Sequence, residues 1–219
     1  MDYDPLLLSV EVALWATAVA ATFGIALGAM LSSRELPGRD LIDALLTAPM
    51  VLPPTVLGYY LLIAIGRKSA FGETWHDLTG GHLTFSFTGV VIAASLGALP
   101  MVVKGARTAF EGVDPTLVAA ARTLGATPAR AFFTVALPLA APGIIAGLML
   151  GFARGLGDFG VTLMIAGNIP GETETAPLRI FNDVQGGDDR SAVISSVILT
   201  VGAVAILYTV NRLTRRPHT

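Results

Sequence analysis

The stretch from Leu139 to Ala166 reads LAAPGIIAGLMLGFARGLGDFGVTLMIA, and its only charged side chains are Arg154 and Asp158. A helix rises about 1.5 Å per residue, so about 20 apolar residues cross the roughly 30 Å hydrocarbon layer of a bilayer. The stretch is long enough to span a membrane, and its glycines allow it to tilt or break. It therefore predicts a membrane-spanning helix rather than a soluble domain.

Four further stretches of this kind lie before and after it. They run approximately from Leu6 to Leu31, Leu41 to Ile65, Phe85 to Val103 and Ala192 to Asn211. Charged residues make up only 14% of the chain and hydrophobic residues 53%, whereas soluble domains carry about 25% charged residues. We expect residues 1–219 to form a single all-α integral membrane domain of about five transmembrane helices.

Several other classes of protein are disfavoured by composition. Cysteine is absent, and the three histidines (His76, His82 and His218) are not at metal-ligand spacing on one helix. The formal net charge of −2 gives no sign of a nucleic-acid partner. Residues 155–160 spell G-x-G-x-x-G, but no strand precedes them as a dinucleotide site requires. We expect no metal site, no cofactor and no nucleic acid.

Lysines and arginines indicate the orientation of the chain, because cytoplasmic loops are enriched in them. One side would carry the loops after the first and third spans and the tail, with Arg34, Arg39, Lys104, Arg107, Arg122, Arg130, Arg212, Arg215 and Arg216. The other side would carry Arg67, Lys68, Arg179 and Arg190. We therefore expect an external N-terminus, a cytoplasmic C-terminus and an external acidic loop at Gly167–Arg190.

The long cytoplasmic loop, at about residues 104–138, contains DPTLVAAARTLGATPARAFFTVALP from Asp114 to Pro138. Asp114 before Pro115 is typical of a helix start, and Thr127 before Pro128 repeats the pattern. Gly125 between them is a typical helix stop. The loop is therefore predicted to form a helix, a glycine turn and a second helix that leads into the fourth span.

This loop resembles the EAA loop of bacterial ABC importer permeases. Ala120, Ala121, Gly125, Leu137 and Pro138 match that pattern, whereas Ala119 occupies its glutamate position. The resemblance implies that the loop docks on an ATPase subunit, and the alternative is a hairpin that packs only on its own bundle. The candidate coupling residues are Ala119, Ala120, Ala121, Arg122, Gly125, Ala126, Thr127, Pro128 and Pro138.

Other segments are similar to the molybdate-transport branch of that family. They are PMVLPPTVLG at 49–58, GRK at 66–68, FARGLGDFG at 152–160 and NIPGETET at 168–175. Sulfate permeases share the loop and the Ala-Arg-x-Leu-Gly-acidic-Phe-Gly stretch. The resemblance thus implies a molybdate permease subunit, with tungstate or sulfate and thiosulfate as alternative substrates.

The resemblance also implies partners and a location. The permease would work as a homodimer in the lipid of the bacterial inner membrane, with two ATPase subunits and a periplasmic or lipoprotein oxyanion-binding protein. Lys68-Ser69 lacks the preceding glycines of a P-loop. We therefore expect no enzyme activity in this chain, and ATP to be bound and hydrolysed by the partner.

Two groups of residues are candidates for the pathway or its gate. Arg154 and Asp158 cost about 2.5–3.5 kcal/mol each at mid-helix on insertion scales, so such residues usually face a pathway or a partner. Their i,i+4 spacing lets them pair, either as a static lock or beside the route of an oxyanion. Pro49, Pro53 and Pro54 interrupt the second span and predict unwound backbone, either at a gate or at a packing kink. Phe159 lies beside this pair and completes the candidate set.

Glycines recur every four residues in two spans, at Gly143, Gly147, Gly151 and Gly155 and at Gly24 and Gly28. Such stripes let membrane helices pack closely, or let one helix slide during gating. Two other functions stay open as alternatives. A secondary transporter usually shows internal repeats with paired broken helices, and a membrane enzyme needs clustered reactive side chains.

Overall fold

The computed structural model describes residues 4–33 and 36–214. Within these ranges every regular element is helical. The elements are α1 (Pro5–Ser32), α2 (Arg39–Val51), α3 (Pro54–Ile65), α4 (Ala70–Thr79), α5 (Phe87–Glu111), α6 (Pro115–Thr123), α7 (Pro128–Ala131), a π-helical segment (Phe132–Ala136), α8 (Leu137–Leu156), α9 (Gly160–Ala166), α10 (Ala176–Gln185) and α11 (Asp189–Thr214).

The expectation of about five spans is confirmed. Four helical stretches are long and apolar enough to cross a membrane by themselves: Pro5–Ser32, Phe87–Glu111, Pro128–Leu156 and Asp189–Thr209. The pair α2 and α3 passes the same test together, although the two helices are bent by 114°. The fifth span is therefore a broken span or a re-entrant pair rather than a straight helix.

The third span is longer than expected and continues to Glu111. Lys104 and Arg107 are therefore residues of α5 and not of the following loop, which begins near Gly112 and not at residue 104. Both side chains have good helix propensity, so a drop in hydropathy does not end the helix. The chain leaves α5 at Gly112 and starts α6 two residues after it, at the Asp114–Pro115 cap.

Only two of the three prolines break the second span. Pro49 lies inside α2, so the prediction that it interrupts the helix was wrong. Leu52 and Pro53 are extended, with ψ of 141° and 138°, and Pro54 is the first residue of α3. A proline disfavours helical backbone at the residue before it, so two consecutive prolines force two extended residues. The lone Pro49 removes one hydrogen bond of α2, but the residue after it is not a proline, and the helix continues to Val51.

The fourth span also breaks, as its glycines allowed. Helix α8 ends at Leu156, and α9 begins at Gly160. Arg154 is therefore in the last turn of α8, and Asp158 lies in the break, not on the same continuous helix as expected. At its other end, α8 continues without interruption from α7 through the π-helical segment, as the predicted lead-in from the loop requires.

Glycines make the close contacts between α5 and the two helices beside it. A Cβ built on Gly105 of α5 would lie 2.5 Å from the Cα of Gly147 in α8. One built on Gly28 of α1 would lie 2.6 Å from the Cβ of Ala106. The two helices on either side of α5 thus approach it almost backbone to backbone, which supports the packing interpretation of both stripes.

Replacing Gly105 by valine should destabilise the bundle by about 3 kcal/mol, because neither backbone can move aside. The control is Gly202→Val in α11, where an added Cβ meets no atom of the described residues within 4 Å. Thermal unfolding of the purified protein in detergent should show a lower Tm for Gly105→Val alone. Equal Tm values for the two variants would contradict this packing.

Candidate functional site

The two breaks contact each other. A Cβ built on Gly160, the first residue of α9, would lie 2.6 Å from the Cβ of Pro54, the first residue of α3. One helical turn further, a Cβ on Gly58 would lie 2.7 Å from the Cβ of Met164. Small residues at these two positions let α3 and α9 run side by side from a common starting point. The unwound segments of both spans thus meet at one place in the bundle.

Arg154 and Asp158 are paired at this place. A guanidinium NH of Arg154 lies 2.9 Å from Oδ1 of Asp158. Oδ2 accepts hydrogen bonds from the backbone N–H of Thr162 at 3.1 Å and from its hydroxyl at 2.7 Å. Asp158 is 4% exposed. The carboxylate thus accepts the hydrogen bonds of Thr162 in the first turn of α9 while it also binds Arg154. The spacing of Arg154 and Asp158 in the sequence predicted only the second of these contacts.

Arg154 also lines a cavity of about 190 Å³ between the broken span, α5 and α8. Gly97 of α5 makes room for the guanidinium, since a Cβ there would lie 3.3 Å from its Cζ. The lining residues are Pro49, Met50, Leu52, Pro54, Leu57, Gly97, Met101 and Arg154. A cavity of this size with a cation in its lining suits a small anion better than a large ligand.

The candidate pathway residues therefore separate into two groups. Pro49, Pro54 and Arg154 share the cavity. Asp158 lies behind Arg154, and Phe159 packs against Phe181 of α10, with ring centroids 5.1 Å apart. Gly97 and Met101 were missed, because an ordinary glycine and methionine in an apolar span give no signal that they face a cavity.

The segment NIPGETET at 168–175 connects α9 to α10 through internal hydrogen bonds. The hydroxyl of Thr173 donates to the carbonyl of Ala166 at 3.0 Å and accepts from the N–H of Ile169 at 3.1 Å. Asn182 of α10 donates to Glu174 at 2.7 Å. This segment, which carries much of the resemblance to molybdate permeases, is thus a hydrogen-bonded connection whose second half, Thr173–Thr175, is buried.

The acidic loop between α9 and α11 is only partly available to a partner. Glu174 and Asp183 are buried and pair with Arg179, at 3.7 and 2.9 Å. Glu172, Asp188 and Asp189 are exposed. The exposed subset is the part of this loop that can contact another protein.

The loop after α5 has the predicted form of two short helices around a glycine turn. Asp114 accepts a hydrogen bond from the N–H of Thr116 at 2.8 Å, and the bonds from this residue hold the pKa of Asp114 below its ordinary value. Thr127 accepts one from the N–H of Arg130 at 3.3 Å. Gly125 has a φ of +89°, a backbone conformation that favours glycine.

This loop projects from the bundle. No residue from 114 to 130 is buried, and the side chain of Leu124 at the tip is 88% exposed. Its base is held by Phe132, whose ring centroid lies 5.5 Å from that of Phe110 in α5. Pro138 is further on, at the second position of α8. A hairpin that packed only on its own bundle would bury its helices, so the exposure favours a surface for another molecule.

Within the described ranges, no group of three or more His, Asp or Glu side chains is placed to hold a metal ion. His76 and His82 stack at 4.6 Å instead, and His218 lies outside the described residues.

Comparison with known proteins identifies relatives over almost the whole chain. Residues 20–216 match the family described as binding-protein-dependent transport system inner membrane component. The molybdenum transport system permease protein ModB of Escherichia coli (strain K12) is 41% identical over 208 residues, which cover 94% of this chain and 91% of the relative. The sulfate transport system permease protein CysT of the same strain is 34% identical over 194 residues, which cover 89% and 70%.

A solved structure shows the same fold. The inward-facing MetNI methionine ABC transporter matches with a TM-score of 0.77 at 16% identity, covering 96% of this chain and 93% of that chain. At this identity the likeness concerns the fold alone.

Proposed function

Since this chain belongs to the family of binding-protein-dependent transport system inner membrane components, we propose that it is the permease subunit of an ATP-driven ABC importer for molybdate. The observation that carries the substrate is its 41% identity to ModB over 94% of the chain, against 34% to CysT over 89%. Tungstate, also a tetrahedral oxyanion, is a second substrate under this proposal. Sulfate is the main alternative, because CysT is a relative too.

The chain is a transport subunit and not an enzyme, as its family membership indicates. Energy therefore comes from a partner, and we assign ATP binding and hydrolysis to two ATPase subunits. The exposed helix–turn–helix around Gly125 is the surface that would dock on them. Its small residues Ala119, Ala120, Ala121 and Ala126 would let the partner approach the backbone closely.

We propose that two copies of the chain form the membrane unit, with the translocation route between them. An external binding protein would deliver the oxyanion, and the exposed acidic residues of the loop before α11 are available for its docking. The distribution of Lys and Arg supports a cytoplasmic C-terminus. Three of the arginines behind that orientation (Arg34, Arg215 and Arg216) lie outside the described residues.

Arg154 would assist passage of the anion. In the cavity its charge is screened less than in water, so it attracts a doubly negative oxyanion. Asp158 offsets part of that attraction, and this keeps the ion from binding too tightly to leave. The broken backbone beside it is of the kind that membrane proteins tolerate only inside protein or along a cavity.

The test is uptake of radiolabelled molybdate and sulfate at trace concentration, in cells with and without the gene. We expect deletion to abolish molybdate uptake and to leave sulfate uptake unchanged, and the intact gene to restore it. Excess unlabelled tungstate should compete with molybdate. Loss of sulfate uptake instead would keep the importer and overturn the substrate, and unchanged uptake of both would contradict the proposal.

A further inference from the structure

Helix α2 is attached to α5 by ion pairs rather than by buried apolar side chains. No residue of α2 is buried, and large apolar side chains such as Leu41, Leu45 and Val51 are exposed. Within the described residues its ion pairs all lead to α5. The helix that ends at the broken backbone is thus held at its other end mainly by an ionic cluster.

The cluster occupies two turns of each helix. Asp43 of α2 lies 2.8 Å from Nζ of Lys104 and 3.0 Å from a guanidinium NH of Arg107. Arg107 also pairs with Glu111 at 3.0 Å, and Glu111 pairs with Arg39. The side chains of Arg39, Asp43 and Arg107 are each 20% exposed or less. Asp43 of α2 binds two cations of α5 at once, and the Arg39–Glu111 pair is a second ionic link between the two helices.

Helices α2 and α5 both contribute to the lining of the cavity that Arg154 lines. Pro49 and Met50 come from the end of α2, and Gly97 and Met101 come from α5. Asp43 lies about 9 Å along the helix axis from Pro49, at about 1.5 Å per residue. Fewer than two helical turns separate Asp43 from Pro49, so one short helix links the ionic cluster to the cavity.

The same cluster lies where the coupling loop begins. Glu111 is the last residue of α5, and Asp114 three residues later caps the first helix of that loop. The loop joins the bundle at two ends, at Glu111 of α5 and through the π-helical segment into α8, so a displacement of the loop by the ATPase would act on the cluster through its α5 end. The cluster thus lies between the start of the loop and the helix whose other end lines the cavity.

We propose that Asp43 is a positioning residue for transport, which fixes α2 to the cytoplasmic end of α5 so that movement of the coupling loop changes the width of the Arg154 cavity. The inference rests on the proposed function for its view of what the loop does. It requires no contact of Asp43 with the transported ion.

The first experiment measures ATP hydrolysis and oxyanion uptake by the assembled transporter in proteoliposomes, with whichever oxyanion the wild type carries. Asp43→Asn should lower the amount of ion carried per ATP by about fivefold or more, as expected for a lost coupling energy of typical size. Asp43→Glu should recover much of the loss. Asp40→Asn, an exposed acid on the same helix, is the matched control and should resemble the wild type.

Lys104→Gln tests the cluster if Asp43→Asn does not assemble, because Lys104 is almost half exposed and its removal perturbs packing little. Lys104→Gln should also lower the amount of oxyanion carried per ATP. Where the double variant can be made, it should be no worse than Asp43→Asn alone. A wild-type ratio in Asp43→Asn or Lys104→Gln, or additive losses in the double variant, would overturn the proposal. Failure of the wild type to carry any oxyanion would instead overturn the proposed function.

A distance measurement tests the positioning without transport. The chain has no cysteine, so Leu41→Cys and Thr108→Cys place two spin labels at exposed sites on α2 and α5. In a transporter with cysteine-free partners, Asp43→Asn should broaden the distance distribution between the labels, and Asp40→Asn should not. An unchanged distribution in Asp43→Asn would show that Asp43 does not hold α2 in place and would overturn the proposal.

Discussion

Replacing Arg154 by alanine is expected to abolish oxyanion uptake, with Arg154→Lys retaining part of it. The alanine variant removes the cation that, among the described residues, lines the cavity between the two broken spans. It also leaves Asp158 buried without its cationic partner, a change that typically costs about 3–5 kcal/mol. Lysine keeps the charge but not the forked geometry, so partial uptake is expected. Uptake at matched expression is the measurement.

A double variant separates the two roles of this pair. Arg154→Ala with Asp158→Asn removes both charges and leaves no buried ion unpaired, so the protein should be closer to wild type in Tm than Arg154→Ala alone. If Arg154 serves the anion, the double variant should still fail to transport. Recovery of uptake in the double variant would show that the pair is only a structural lock.

Replacing Leu124 by aspartate is expected to prevent docking of the ATPase. Leu124 is an almost fully exposed apolar residue at the tip of the glycine turn, so its replacement should not affect folding. Loss of a central apolar contact costs about 2 kcal/mol or more at an interface, which is about thirtyfold in Kd. The measurements are the amount of ATPase that co-purifies with the permease and the uptake of oxyanion by cells, and both should fall for Leu124→Asp.

Leu78→Asp provides the matched control for this prediction. Leu78 is 80% exposed in α4, in the loop predicted to be external, and it receives the same substitution. It should leave co-purification unchanged. Normal recovery of the ATPase with Leu124→Asp would show that the tip of the loop is not the docking surface.

Local features of the chain were predicted well from sequence. The spans follow from runs of apolar residues, and the helix–turn–helix follows from Asp114, Gly125 and Thr127, whose effects reach only a few residues. The break at Pro53 and Pro54 was predicted for the same reason. The end of α5 was not predicted correctly, because the residues after Val103 favour a helix and α5 continues for about two more turns, to Glu111.

The sequence by itself predicted about five membrane spans and a helix–turn–helix loop, since hydropathy, caps and turn residues act over short distances, and its resemblance to a known family indicated a permease. Only the tertiary structure decided that the two breaks meet at Pro54 and Gly160, that Gly97 faces Arg154, and that Asp43 binds Lys104 and Arg107. These contacts join residues that are far apart in the chain. They depend on which helices pack together, and that is settled by the combined shape of all the helix surfaces rather than by any one segment.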